Sequence, residues 1–242
     1  TWYNEDDEQL PIVWTAEKAV LRSAVEGWPA AGLSMTAKEV SLYTPDSLCH
    51  VIHKIWRADG NSPIARAFNA VTQPPSFQDR KVGLSDCMIA LENMDNLEGL
   101  PPSGEESTVR LGSLVGDILP VHFDYFSFYA GAAHGNYATL TTHLLLPTLK
   151  EVDADALFIE GYRPALDKLV RDGLVEQFGA DAGLEYKALP DDFHFEIQSG
   201  QFVVYFNPYE IGPYALGMIQ VGIPYKDIHN LIREDGPLGN KK

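Results

Sequence analysis

Two Pro-Tyr pairs flank an acidic residue near the C-terminal end of the chain. The pairs are Pro208-Tyr209 and Pro213-Tyr214, and Glu210 lies between them. Proline restricts the backbone, and an exposed tyrosine adds contact area at a small cost in conformational entropy. This composition favours a rigid binding loop, with Tyr209 as the first contact and Tyr214 packed behind it. The alternative is a structural corner in which both tyrosines pack on a sheet.

A second candidate is the loop of small residues at 131–136, which contains His134 and Asn136. Small residues allow a close approach of the backbone, and imidazole and carboxamide groups can hydrogen-bond a ligand. Ser127, in the aromatic run before the loop, completes the candidate set. The alternative is a tight turn between strands in which His134 satisfies only neighbouring backbone groups. We expect loops 131–136 and 207–214 to be offered to one ligand.

Patterns that would carry catalysis are weak in this sequence. It contains no Gly-x-Ser-x-Gly nucleophile elbow and no glycine-rich phosphate loop. The carboxylate pairs Asp153/Asp155 and Asp191/Asp192 would serve glycoside hydrolysis only if they faced a groove, and their turn-like neighbours favour solvated acids. We therefore predict a protein that is not an enzyme, with no catalytic residue and no cofactor.

The run Cys49-His50-x-x-His53 has the spacing of metal ligands on one face of a helix. No fourth ligand follows at a typical spacing, and apolar residues alternate with these three. We interpret the run as an ordinary amphipathic helix and predict no metal site. Cys49 and Cys87 could pair in an oxidising compartment or stay as two buried thiols in a reducing one.

The elements that must position these residues differ between the two halves of the chain. In the first half, Thr15 can cap a helix, and Thr44-Pro45 and Ser62-Pro63 each resemble an N-cap followed by a first-turn proline. In the second half the apolar period changes to two, which predicts strands. The predicted elements there are strands at 118–129 and 140–146, a helix at 164–178, and strands at 193–198, 202–206 and 219–223.

Strands joined by hairpins, with helices inserted between them, predict an α+β fold in which helices cover one face of an antiparallel sheet. We expect residues 1–110 to be a helical N-terminal part of the same globule and residues 111–242 to form the α+β domain.

The chain carries 34 acidic and 18 basic side chains, which gives a formal net charge of −16. Such a field repels nucleic acid and anionic lipid and favours basic partners, although acidity can also serve solubility alone. No apolar run approaches the roughly 20 residues that span a bilayer. We predict neither nucleic-acid binding nor direct membrane insertion.

Three segments of the second half together resemble a known family. They are Phe126–Asn136, Val152–Phe158 with the helix after it, and Tyr205–Gly217 running into residues 221–225. In this order and spacing they resemble the RsiV-like C-terminal domain family. This domain of unknown function also occurs beside the catalytic domain of the peptidoglycan deacetylase PdaC and in envelope lipoproteins. The resemblance covers residues 115–235 and departs from the family pattern at Ala132, where a glycine is usual.

The resemblance implies an α+β domain outside the cytoplasmic membrane, in the periplasm or at the cell surface, exported or lipid-anchored in its full form. In RsiV the domain binds lysozyme, so the implied partner is a basic protein such as lysozyme, or a cell-wall glycan. We therefore predict an extracytoplasmic binding or sensor domain whose Tyr209 loop enters the cleft of a cationic muramidase. The alternatives are an envelope enzyme acting on peptidoglycan or carbohydrate, and a structural lipoprotein scaffold.

Overall fold

The computed structural model describes residues 16–44, 48–72, 87–89, 91, 99, 101–180 and 183–239. Ten strands in these ranges form two sheets. The strands are β1 (Ala16–Leu21), β2 (Leu33–Tyr43), β3 (Cys49–Ala58), β4 (Ser103–Leu111), β5 (Ile118–Phe128), β6 (Asn136–Leu145), β7 (Lys150–Glu151), β8 (His194–Ile197), β9 (Gln201–Phe206) and β10 (Ile219–Pro224). The larger sheet has seven strands in the order β1 to β7, and the smaller has three in the order β10-β9-β8.

The helices of the described ranges are few, and most are short. Those with described bounds are α1 (Pro63–Val71), α2 (Ala154–Leu157), α3 (Arg163–Phe178) and α4 (Tyr225–Ile228), with a 3₁₀ turn at Tyr214–Leu216. None of these helices has the length and hydropathy needed to cross a bilayer.

The predicted α+β fold, an antiparallel sheet with helices over one face, was wrong. The chain is mostly β in its described residues, because the seven strands of the larger sheet lie between residues 16 and 151 and most of the helices are short. That sheet is mixed, since β3 and β4 pair in parallel while β2 and β3 pair antiparallel.

The helical N-terminal part was the main error. The helices predicted after Thr15 and Thr44 are the strands β1 and β3. In β3 the buried positions alternate along the strand, at 49, 51, 53 and 55. Val51, Ile52 and Ile55 are β-branched, and such side chains fit a pleated sheet better than a helix. The Thr44-Pro45 pair, which predicted the start of a helix, therefore did not determine the structure of Cys49–Ala58.

The signal at Ser62-Pro63 does begin a helix. The Ser62 hydroxyl accepts the Ala65 N–H at 3.2 Å, which caps α1. In the second half, the predicted strands and helix correspond to β5, β6, α3, β8, β9 and β10. Their prediction as elements is confirmed, within a few residues at each end.

The chain divides into two compact units. Unit 1 comprises residues 1–24, 28–110 and 123–137, and unit 2 comprises residues 25–27, 111–122 and 138–242. In unit 1, Cys49 and Cys87 form a disulfide with a Cα–Cα distance of 5.9 Å. Both cysteines are buried, together with Leu42, Val51 and Leu91. Of the two states that the sequence left open, the structure has the paired one.

The core of unit 2 lies between the smaller sheet and helix α3. The buried face of α3 carries Leu166, Val170 and Leu174. Gly173 lets the helix approach β10 closely, since a Cβ there would lie 2.5 Å from Val221 Cγ1. This packing fixes the sheet from which the tyrosine loop projects.

Candidate functional site

The loop that carries Tyr209 leaves the end of β9 at Asn207, whose side chain is buried. Its Oδ1 accepts the backbone N–H of Thr139 at 2.8 Å, and its Nδ2 donates to the Thr139 carbonyl at 3.2 Å. The carboxamide thus bonds both backbone groups of one β6 residue. This pair of hydrogen bonds holds the start of the loop to a strand that lies far away in the sequence.

Glu210 closes the loop on itself. Its Oε2 accepts the Asn207 backbone N–H at 2.9 Å, and its Oε1 lies 3.1 Å from His194 Nε2. The His194 ring stacks on Tyr205, with centroids 5.4 Å apart. Both carboxylate oxygens are therefore engaged within the protein, so Glu210 positions the loop and adds negative charge beside Tyr209.

Tyr209 is 60% exposed and has a positive φ of 73°. A non-glycine residue in the left-handed region costs roughly 1–2 kcal/mol. Its neighbours hold this conformation, because the Glu210 N–H donates to the Asn207 carbonyl at 3.1 Å and closes a tight turn around it. Backbone strain at an exposed residue is a common mark of a functional site.

The far end of the loop is fixed as well. Ile211 is buried, and its carbonyl accepts the Glu185 N–H at 2.8 Å. The 3₁₀ turn that follows is closed by the Gly217 N–H, which donates to the Tyr214 carbonyl at 2.9 Å. Tyr214 is half-buried and its ring lies 5.6 Å from the Tyr209 ring, while Pro208 is half-buried and Pro213 exposed. The structure thus brings together the five predicted residues of this loop.

The other predicted residues lie in unit 1. His134 and Asn136 are exposed, and Ser127 is half-buried on β5. His134 Nδ1 lies 3.0 Å from the Gly135 carbonyl. A Cβ at Gly135 would lie 2.6 Å from the Phe126 ring, so glycine is required for the close approach of β5 to the loop. That this loop and the Tyr209 loop bind one ligand stays a prediction.

The predicted carboxylate pairs have local partners. Asp153 caps α2 by accepting the Ala156 N–H at 2.8 Å, and Asp155 accepts the Tyr162 hydroxyl at 3.1 Å. Burial raises the pKa of Tyr162 to about 12, and the Asp155 bond acts in the same direction. Asp191 is exposed and lies 3.3 Å from Arg163. These contacts assign structural roles to three of the four acids.

The metal-like run at 49–53 lies on a strand, so the helix predicted there was wrong. Cys49 is in the disulfide, and His53 Nδ1 pairs with the Ser107 hydroxyl. His50 and His53 are three residues apart on a strand and therefore face opposite sides. The residues that the structure describes contain no group of three side chains placed to hold a metal ion.

A partly buried chain of polar side chains, which includes Tyr205 shortly before the Tyr209 loop, was not predicted. Tyr205 donates its hydroxyl proton to Thr141 Oγ1 at 3.1 Å, and the same oxygen lies 3.2 Å from His122 Nδ1. Burial raises the pKa of Tyr205 to about 12. His122 Nε2 in turn lies 3.7 Å from Glu196. This chain ties β5 and β6 to β8 and to β9, the strand after which the loop begins.

His143 makes a second connection between β6 and β8. Its Nε2 accepts the Ile197 N–H at 3.1 Å, and its ring stacks on Phe195 with centroids 4.6 Å apart. Burial, together with the nearby His122, lowers the pKa of His143 to about 3. His143 is therefore a neutral acceptor in the folded protein. The sequence signal that could have indicated a buried His143 was its position among the apolar residues of β6.

Comparison with known proteins identifies relatives of unknown function. Residues 155–226 match the family described as "Protein of unknown function (DUF3298)", a range that includes the Tyr209 loop. The chain is also similar to the crystal structure of a DUF3298 family member from Bacteroides fragilis, with a TM-score of 0.65 and 18% identity over 97% of both chains. No curated protein matches.

A second solved structure, a DUF3298 family protein from Pseudomonas aeruginosa, has a TM-score of 0.57 and 14% identity over 94% of this chain and 96% of that one. At such identities the likeness concerns the fold alone. The predicted resemblance is confirmed in its coarser form, as similarity to DUF3298. The narrower likeness to the RsiV-like domains stays a prediction.

Proposed function

We propose that this chain is an extracytoplasmic recognition domain that binds its partner through the loop Pro208–Tyr214. The observation that carries the proposal is Tyr209, a strained and exposed aromatic residue on a loop held at both ends. A preorganised loop loses little conformational entropy on binding, and tyrosine is common among residues that dominate binding energy. No covalent chemistry is required of it.

The proposed partner is a basic protein, with a cationic muramidase such as lysozyme as the first candidate and a cell-wall glycan as the second. The net charge of −16 supports a cationic partner, because complementary charge raises the association rate. The Cys49–Cys87 disulfide supports a location outside the cytoplasm, where disulfides persist.

The experiment is isothermal titration of the full chain with lysozyme, at low salt and at about 0.15 M salt, where the Debye length is roughly 8 Å. We expect binding that weakens with salt and a loss of about 30-fold in affinity for Tyr209→Ala, the size of a dominant contact. Ile159→Ala is the matched control, because Ile159 is another exposed large side chain of unit 2.

Two results would contradict this proposal. An absence of heat at both salt concentrations would exclude lysozyme as the partner. Equal affinities for the wild-type chain and Tyr209→Ala would exclude the loop as the binding site, whatever the partner.

A further inference from the structure

The segment that carries the smaller sheet and the Tyr209 loop contains a single basic side chain. Residues 188–225 include β8, β9, β10 and the loop, and they have four carboxylates, no lysine and no arginine. The one basic residue is His194, and the carboxylates are those of Asp191, Asp192, Glu196 and Glu210. Histidine is the side chain whose charge ordinarily changes between about pH 5 and 8. In that range the charge of this segment therefore changes chiefly through His194.

His194 lies against the carboxylate that follows Tyr209 in the sequence. Its Nε2 is 3.1 Å from Glu210 Oε1, and 28% of the His194 side chain and 36% of the Glu210 side chain are exposed. The other carboxylate oxygen accepts the Asn207 N–H at 2.9 Å, which fixes Glu210. The imidazole is fixed by its stacking on the Tyr205 ring, with centroids 5.4 Å apart. The pair is thus held in contact and remains open to solvent.

The other titratable groups near this pair do not offset the charge of Glu210. Glu196 lies two residues after His194 on β8, so the two side chains share one face of the strand. Glu196 is in turn 3.7 Å from His122 Nε2. Tyr205 stays neutral below about pH 9, because burial raises its pKa to about 12. Among the residues that the structure describes, no ion pair of His194, Glu196 or Glu210 includes a lysine or an arginine.

We propose that His194 is a proton-operated charge switch for the Tyr209 loop, which attracts cationic groups at neutral pH and loses this attraction as the pH falls. With the imidazole uncharged, Glu210 leaves a negative charge beside Tyr209. With the imidazole protonated, its positive charge offsets that carboxylate, while the loop keeps its conformation because a neutral ring can also donate an Nε2–H to Glu210. The inference rests on the recognition function proposed above and adds its regulation, the release of a basic partner at acidic pH.

The test measures the charge at the loop directly and requires no partner. The ¹⁵N-labelled full chain is mixed at low salt with a cationic nitroxide, aminomethyl-PROXYL, or with the neutral carbamoyl-PROXYL. NMR then gives the relaxation that each probe adds to the amide protons of residues 209–212 at pH 7.5 and 5.5. We expect the ratio of cationic to neutral relaxation to fall about twofold at the lower pH, the effect of one unit charge several ångströms away in water. An unchanged ratio would overturn the proposal.

Two histidine variants assign the change to one side chain. His194→Gln keeps a hydrogen-bond donor beside Glu210 but cannot be protonated, so its ratio should not change with pH. His229→Gln removes an exposed histidine beyond Pro224, the end of β10 farther from the loop, and should behave as the wild-type chain does. A change that persists in His194→Gln would overturn the proposal.

The wild-type chain decides the question alone if His194→Gln does not fold. The relaxation ratio at residues 209–212 should then change with the same midpoint pH as the ring protons of His194, which NMR follows in the same samples. A different midpoint would assign the change to another group and overturn the proposal.

Titration with lysozyme at the two pH values separates the switch from the recognition function. The affinity of the wild-type chain should fall by about twofold more between pH 7.5 and 5.5 than that of His194→Gln. Equal changes in the two chains would overturn the regulation. A pH-dependent relaxation ratio without lysozyme binding at either pH would support the switch and exclude lysozyme as the partner, so the two failures give different results.

Discussion

At the scale of single residues, Tyr209 is held in a conformation that glycine adopts at no cost. Its φ of 73° is imposed by the turn between Asn207 and Glu210, whatever side chain occupies the position. Alanine and glycine both remove the phenol ring, but only alanine retains the strain. The stability difference between these two variants therefore measures the strain itself.

We expect Tyr209→Gly to have a free energy of unfolding about 1 kcal/mol higher than Tyr209→Ala. Urea denaturation followed by circular dichroism measures this difference. In the binding titration, both variants should lose affinity for the partner, because both lack the phenol ring. Equal stabilities of the two variants would show that position 209 carries no strain.

His143 predicts a pH dependence of stability. Its pKa is lowered to about 3 in the folded protein and is near 6.5 in the unfolded chain, so between these values only the unfolded chain binds the proton. Its contribution to stability is therefore fully present above about pH 6.5 and is lost as the pH falls towards about 3. The slope in this window is at most about 1.4 kcal/mol per pH unit.

The check is to compare the free energy of unfolding from pH 7 to pH 4.5 in the wild-type chain and in His143→Gln. We expect the wild-type chain to lose more stability than the variant, in which the amide oxygen can still accept the Ile197 N–H. His229→Gln, at an exposed histidine, is the control and should follow the wild-type curve. Parallel curves for wild type and His143→Gln would contradict a buried neutral histidine.

At the scale of elements, the contact between α3 and β10 depends on one glycine. Alanine in the middle of a helix is normally about 1 kcal/mol more stable than glycine, but a Cβ at Gly173 would meet Val221 Cγ1 at 2.5 Å. Overpacking of a buried contact typically costs 1–3 kcal/mol. We expect Gly173→Ala to lower the free energy of unfolding by about 1 kcal/mol in the wild-type chain.

The same substitution should stabilise the Val221→Ala chain, because the methyl group that it would strike is gone. Urea denaturation of the four chains of this double-mutant cycle measures the change of sign. If Gly173→Ala were destabilising by the same amount in both backgrounds, the clash with Val221 would not be its cause.

The elements also show how far the sequence could predict this molecule. The strands of the second half were predictable because their apolar residues alternate or form short runs between turn residues, and α1 because Ser62 caps it. In β3, apolar residues occur at positions that suit either a helix or a strand. Pairing with β2 and β4 makes this segment a strand. The pattern of residues within the segment itself does not show that pairing.

The candidate site was also predictable only in the properties that its own residues determine. Prolines and tyrosines indicated an exposed, stiff loop, since those properties belong to the residues themselves. The bonds of Asn207 to Thr139 and of Glu210 to His194 join residues 68 and 16 positions apart. Such pairs depend on how the strands are arranged in space, and no spacing in the sequence contains that information.

At the scale of the whole molecule, unfolding of the two units can be followed by different spectroscopic signals. All four tryptophans lie at positions that belong to unit 1, at 2, 14, 28 and 56. The longest described helix, α3, lies in unit 2. Tryptophan fluorescence therefore reports on unit 1, and a substitution such as Gly173→Ala is best followed by the helical signal of unit 2.

This distinction gives a test of the Cys49–Cys87 disulfide. The bond closes a loop with a sequence separation of 38, for which the chain-entropy account gives a stabilisation of about 4 kcal/mol. Reduction should therefore move the fluorescence-detected urea transition to lower concentration by an amount equivalent to roughly that energy. Alkylation and mass spectrometry of the unreduced chain after unfolding should find no reactive thiol, because both cysteines are in the bond. A transition that reduction leaves unchanged, or two alkylated cysteines in protein purified under oxidising conditions, would contradict the bond. Either result would also remove the structural observation that supports a location outside the cytoplasm.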